Sequence, residues 1–180
     1  KPANLGSSIG ISKVKDEESY RAAMQEAFAY DTKVIIEEFI KGREIECSVL
    51  GNDEPMASVP GEVIVHSEFY SYDAKYLDEN GASLQIPADL PEETKKAVQE
   101  AAVKTFKVLC CEGMGRVDSF VTDDGRVFVN EINTIPGFTN ISMYPKMWEA
   151  SGISYSQLID KLIKLAIERF EKQRKLRTNK

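Results

Sequence analysis

Two stretches in the second half of the chain, Met114 to Thr122 and Val127 to Ile132, alternate apolar and polar residues. Only Asp123-Asp124-Gly125-Arg126 separates them. A period of two marks strands, and an Asp-Gly turn between two such runs favours a hairpin. This part of the chain is therefore committed to antiparallel sheet. Side chains at i and i+2 of a strand share a face, so Arg116 falls with Asp118 and Glu131 with Asn133. If the turn pairs the strands, four polar groups converge on one surface of otherwise apolar strands. Asp, Glu and Asn offer hard oxygens, the ligand set that Mg²⁺ takes together with phosphate and water. A solvent-facing polar side fits the same spacing.

The rest of the chain mixes helices with strands in no regular alternating order, which predicts an α+β fold. A short loop, Asn4 to Gly10, precedes a helix led by Asp16-Glu17-Glu18, with Tyr20, Met24 and Ala27 inward. Lys33 to Phe39 reads as a buried strand, Glu44 to Gly51 as a second and Pro55 to Val65 as a third. Ser67 to Ala88 reads as a long loop, and loops of that length usually serve a function or are disordered. Pro91-Glu92-Glu93 opens a helix whose apolar side is Val98, Ala102, Thr105, Phe106 and Leu109. Asn133 to Pro145 reads as irregular. Ser154-Tyr155-Ser156-Gln157 is a capping box, and the last helix follows it with the stripe Tyr155, Leu158, Ile159, Leu162, Leu165, Ala166 and Phe170. The basic tail after Glu171 reads as a solvated end.

With 180 residues, 42% of them apolar, the chain can bury a core as one domain or two small lobes. Its net charge of −6 argues against a sequence-independent grip on nucleic acid, but not against a locally basic nucleotide pocket. No apolar run approaches the roughly 20 residues that span a bilayer, and no signal peptide is evident. Cys47, Cys110 and Cys111 match neither a disulfide framework nor a zinc site and read as buried free thiols of a cytoplasmic protein. His66 cannot form a histidine cluster alone and reads as an ordinary surface or packing residue. The opening Lys1-Pro2, without an initiator Met, reads as the edge of a fragment.

Beyond the hairpin, Glu131-Ile132-Asn133-Thr134-Ile135-Pro136-Gly137-Phe138-Thr139 runs into a Pro-Gly turn and continues to Ser142-Met143-Tyr144-Pro145. The glycine permits close backbone approach to a ligand, and its N–H could donate to an oxyanion. This stretch resembles the signature of D-alanine–D-alanine ligases of the ATP-grasp superfamily. Three further segments match the family in order: Lys1-Pro2 through Gly6-Ser7-Ser8-Ile9-Gly10, Tyr72-Asp73-Ala74-Lys75-Tyr76, and Gly115-Arg116-Val117-Asp118.

The resemblance implies an ATP-grasp fold, a mostly antiparallel sheet flanked by helices, with residues 1–41 ending the small lobe and 42–180 forming the large one. It implies that Asp118, Glu131 and Asn133 hold two Mg²⁺ (Mn²⁺ as the alternative), Glu131 bridging. Lys1 would contact the nucleotide phosphates, and Lys75 would meet the γ-phosphate under a closing loop. The backbone of Glu37, Glu38, Phe39 and Ile40 would read adenine, although a Glu-rich strand end can also be simply solvated. Glu44 would take the ribose hydroxyls. Arg116 and the Gly137 N–H would stabilise the tetrahedral intermediate. Ser142 and Met143, with Tyr76, would bind the second D-alanine. Ser7 and Tyr76 would pair with each other and with a Glu from an amino-terminal domain absent from this sequence. The implied cosubstrates are ATP and D-alanine, in a bacterial cytoplasm, for peptidoglycan synthesis, with a homodimer admitted. Rival readings are a D-alanine–D-lactate or D-serine ligase, a nucleotide-binding module without activity, and another ATP-grasp ligase.

Overall fold

In the computed structural model, which describes residues 1–6, 8–65, 82–139 and 141–177, the chain divides into two units. One comprises Lys1–Lys41 with Ile64–Ser83, the other Gly42–Val63 with Leu84–Lys180. In chain order the elements are α1 (Glu17–Tyr30), β1 (Arg43–Gly51), β2 (Met56–Ala57), β3 (Gly61–Val65) and β4 (Ala82–Gln85). They continue with α2 (Glu92–Val108), β5 (Gly113–Val121), β6 (Val127–Asn133), α3 (Met143–Ala150) and α4 (Tyr155–Arg174).

The first unit is built on α1 and a short extended pair. Asp16 and Ser19 form a reciprocal capping box at the head of α1, with Glu17 and Glu18 in its first turn. Of the expected inward residues, Ala27 is buried, Met24 is half-buried and Tyr20 is exposed. The strand expected over Lys33 to Phe39 does not form. Pro2 and Val34 make a single antiparallel bridge, and Lys1 and Ile35 exchange backbone hydrogen bonds of 2.9 and 2.8 Å. Ile36 and Phe39 are 68% and 64% exposed.

The sheet has the order β4-β3-β1-β5-β6, with β2 also on β1. The pairs β1–β3, β1–β5 and β5–β6 are antiparallel, the last as the hairpin turn dictates. One sheet face buries Ile45, Cys47, Val49, Val117 and Val121 against Val98, Ala102 and Phe106 of α2. Thr105 is only half-buried and Leu109, beyond the last turn of α2, is exposed. A second cluster, Leu50, Tyr144, Trp148 and Leu158, packs α3 and α4 on the opposite face. Leu158 is the buried centre of the α4 stripe, Leu162 and Leu165 are half-buried, and Tyr155, Ile159, Ala166 and Phe170 are exposed.

Three boundaries differ from expectation, each for a local reason. The third strand is split into β2 and β3 because Pro60 has no N–H to give a ladder. Of the loop expected over Ser67 to Ala88, residues 67–81 lie outside the described ones, and Ala82–Gln85 form β4, four residues at the sheet edge and too short to show a period. The irregular stretch ends at Ser142, because Pro145 sits in the first turn of α3, where its missing N–H would have no helical partner. Of the cysteines, Cys47 is buried, Cys111 half-buried and Cys110 exposed, and all three are free thiols.

Candidate functional site

The site is a small grid on the face of β1, β5 and β6 opposite α2. Register places Glu44 opposite Phe120 and Phe120 opposite Phe128. It sets Glu46 opposite Asp118 and Asp118 opposite Glu131, and Ser48 opposite Arg116 and Arg116 opposite Asn133. Residues directly opposite in a ladder point to the same side, so the middle row gathers three carboxylates and the next an arginine and an amide.

A bulge makes this arrangement possible. Between Asp118 and Ser119 the register shifts, because Asp118 pairs with Glu131 while Ser119 pairs with Val129. Asn130 is therefore the extra residue. In an unbroken ladder Asp118 would pair with Asn130, and Glu131 and Asn133 would turn to the α2 side. Bulges commonly re-aim side chains in this way beside active sites.

The polar groups are tightly joined. Arg116 forks onto Asp118, Nε to Oδ1 and Nη2 to Oδ2, both at 2.7 Å. Arg116 Nε also lies 3.0 Å from Glu46 Oε2. Asn133 Nδ2 donates to Asp118 Oδ2 at 3.0 Å and lies 3.4 Å from Glu131 Oε1. Burial alone would lower the Arg116 pKa. The hydrogen bond to Asp118 and the charges of Glu46, Asp118 and Glu131 outweigh it and hold the guanidinium above its usual range, a permanent cation.

This donor set fits a magnesium ion. Asp118 and Glu131 face each other from adjacent strands, and the Asn133 side chain reaches both; turned about its last bond, the amide presents oxygen instead of NH₂. Among the described residues no group of three or more His, Cys, Asp and Glu is placed to hold a metal ion by itself. A cation here would complete its shell with the amide, phosphate and water.

Downstream of β6, the Pro-Gly turn is pinned by aromatic packing. Phe138 lies 5.8 Å from the Tyr144 ring and 5.4 Å from that of Tyr155, whose hydroxyl donates to the Phe138 carbonyl at 3.0 Å. Ser142 is the N-cap of α3. Its Oγ accepts from the Thr139 N–H at 3.1 Å and pairs with the Thr139 hydroxyl at 2.8 Å. A side chain at Gly137 would meet that Oγ at 3.1 Å. Helix α3 is anchored to β1 by two buried bonds, Ser48 Oγ to the Tyr144 carbonyl at 3.3 Å and the Tyr144 hydroxyl to the Val49 carbonyl at 3.0 Å. The Met143 side chain is buried, its Cε facing Gly61, so what it can offer a ligand is its backbone N–H in the first helical turn.

In the first unit, Lys1 Nζ pairs with Glu37 Oε2 at 2.6 Å, joining two of the expected nucleotide contacts to each other. Glu38 is exposed, Ile40 is half-buried, and the Phe39 ring carries Lys13 Nζ 3.8 Å from its centroid. Ser7, His66, Lys75 and Tyr76 lie outside the described residues. Glu46 and Thr139 join the site only in the folded chain. For Glu46 the signal was present, since it follows Glu44 at the period of the strand.

Residues 1–164 match the family model described as D-ala D-ala ligase C-terminus. The D-alanine--D-alanine ligase of Shouchella clausii is 59% identical over 99% of this chain and 49% of its own length. The chain thus spans about half the length of the curated relatives it matches. Among solved structures, the D-alanine-D-alanine ligase of Coxiella burnetii aligns with a TM-score of 0.86 and 49% identity, over 97% of this chain and 46% of that one. The VanG D-Ala:D-Ser ligase of Enterococcus faecalis aligns at 0.84 and 45%, over 92% and 48%. The D-alanine--D-alanine ligase of Bacillus anthracis complexed with ATP aligns at 0.74 and 34%, over 89% and 51%.

Proposed function

This chain belongs to the D-alanine–D-alanine ligase C-terminal family, and from that membership we propose that it is the nucleotide- and metal-binding half of an ATP-dependent ligase joining two D-alanines. The observation that carries the reading is the row Asp118–Glu131 with Arg116 and Asn133 beside it, in a chain whose residues 1–164 match the family model.

In this reading the carboxylate of the first D-alanine attacks the γ-phosphate of ATP, forming D-alanyl phosphate and ADP. The amine of the second D-alanine then adds to the acyl carbon, and phosphate leaves. Asp118, Glu131 and Asn133 would hold two Mg²⁺, Glu131 between them. Such cations offset the repulsion between triphosphate and attacking carboxylate. Arg116, a permanent cation on a rigid strand, and the Gly137 N–H would meet the negative oxygen of the tetrahedral intermediate. The Ser142 hydroxyl accepts from the Thr139 amide and, with the Thr139 hydroxyl as donor in the pair between them, would give its own proton to the carboxylate of the second D-alanine. The Met143 N–H and the positive end of α3 favour the same anion. Lys1 would exchange Glu37 for a nucleotide phosphate, the backbone of Glu37–Ile40 would read adenine, and Glu44 would take the ribose. Lys75, Tyr76 and Ser7 would close and fix a loop, with a Glu from the amino-terminal half present in the relatives. Keeping water out matters, because an acyl phosphate otherwise hydrolyses. Residues 1–41 would end the small ATP-grasp lobe, residues 42–180 would form the large one, and the protein would work in a bacterial cytoplasm for peptidoglycan synthesis.

The test is phosphate release by the full-length protein carrying this chain. Release should require D-alanine, ATP and Mg²⁺ together. ATP binding without D-alanine-dependent release would leave a nucleotide-binding module and sink the ligase reading. The likeness to a D-Ala:D-Ser ligase supports a second reading. Competing D-alanine, D-serine and D-lactate as second substrates at pH 6 and pH 8 separates them, and preference for either of the latter two at both pH values overturns the dipeptide assignment.

A further inference from the structure

Arg116 answers to two carboxylates. Asp118 holds it through a two-point fork, and Glu46, directly opposite Asp118 on β1, approaches Nε at 3.0 Å. All three side chains are largely withdrawn from water, with Glu46 only 14% exposed. The fork uses both Asp118 oxygens, yet the reading above requires Asp118 to bind a cation. If Asp118 alone neutralised Arg116, turning it to a metal would strand a desolvated guanidinium without a counter-charge, which is strongly unfavourable. Glu46 lies one strand further from β6 than Asp118, on the far side of Asp118 from Glu131, and is already in contact with the guanidinium.

We propose that Glu46 is the positioning residue that keeps Arg116 in place when Asp118 turns to the metal. Arg116 passes from a fork on Asp118 to a pair with Glu46, so Asp118 is released and the guanidinium stays aimed across the sheet. A carboxylate is needed at this position because a neutral residue would leave Arg116 competing with the cation for Asp118. The inference rests on the magnesium reading of Asp118, Glu131 and Asn133.

The test compares wild type, Glu46→Gln and Glu46→Asp in the full-length protein. Free Mn²⁺ is followed by its electron paramagnetic resonance signal in the presence of a non-hydrolysable ATP analogue, and phosphate release is followed against Mg²⁺. Glu46→Gln should raise the half-saturating concentration of both metals about tenfold, as loss of an outer partner of a metal ligand does. Excess Mg²⁺ should restore much of the lost turnover. Glu46→Asp, which keeps the charge on a shorter stem, should shift the metal requirement less and covers the case in which Glu46→Gln fails to fold. A folded Glu46→Gln protein with wild-type metal dependence overturns the inference. So does a loss of turnover that no metal concentration repairs, since that marks a merely structural role. A wild-type protein that takes up no Mn²⁺ with the analogue refutes the underlying metal reading instead.

Discussion

Glu131 stands opposite Asp118, exposed on the sheet face, with the Asn133 amide 3.4 Å from its Oε1. Its neutral isostere keeps shape and packing but cannot bridge two cations. Glu131→Gln in the full-length protein should therefore cut turnover at saturating Mg²⁺ at least about 100-fold, the scale of losing several kcal/mol of charge stabilisation. Because the position is exposed, the thermal midpoint should move by no more than about 2 °C. Unchanged turnover, read from the same phosphate assay, would remove the metal role. At this scale the sequence was legible where period two applied: Arg116, Asp118, Glu131 and Asn133 do share one face. Glu46 was passed over because charge on a strand near its end resembles a solvated edge until the partner strand is known. For Met143 the signature named the position but could not say that its side chain turns inward to Gly61.

Among the elements, one close fit lies where β5 passes under α2. A side chain at Gly115 would meet two atoms of the Phe106 ring at 3.1 Å and Ile132 Cδ1 at 3.3 Å, and Phe106 is fully buried. A ring in a close-packed core has no free end to swing away, so Gly115→Ala must lift α2 or strain β5. We expect a loss of about 1–3 kcal/mol, the usual scale of overpacking, measured by urea unfolding. A variant as stable as wild type would mean that α2 sits more loosely than the packing indicates. The helices and the hairpin were readable because long periodic runs carry their own signal. The Asn130 bulge was not, since a two-to-one register is decided by both strands and leaves no mark in either. α3 was hidden by Pro145, which looks like a breaker until the helix start is placed two residues before it. The Lys33–Phe39 run shows the converse, a strand-like pattern that makes only a single bridge, because an apolar run by itself does not specify a partner strand.

Over the larger unit as a whole, Cys47 reports on integrity. It lies in the main cluster between the sheet and α2, 1% exposed, and burial pushes its thiol up to about 12 from an ordinary 9.0, against hydrogen bonds with Ser58 that pull the other way. Cys110, by contrast, is exposed at the end of α2. A thiolate is the reactive form, so an alkylating reagent at pH 8 should modify Cys110 at once and reach Cys47 only through opening of the core. With Cys110 and the half-buried Cys111 both replaced by alanine, the earlier phases should vanish while the slow one keeps its rate. The same burial fixes the sign of an alkaline effect. The folded state prefers the neutral thiol more than the unfolded chain does, so the stabilisation is complete below pH 9 and is lost as pH climbs from 9 towards 12. Other groups titrate in that window, but Cys47→Ala isolates this one. The variant starts weaker by a fixed packing loss, and the gap in urea midpoint between it and wild type should narrow from pH 8 to pH 11. A gap that stays constant would mean that Cys47 ionises no harder in the folded chain than in the unfolded one, and the core around it would then have to admit water.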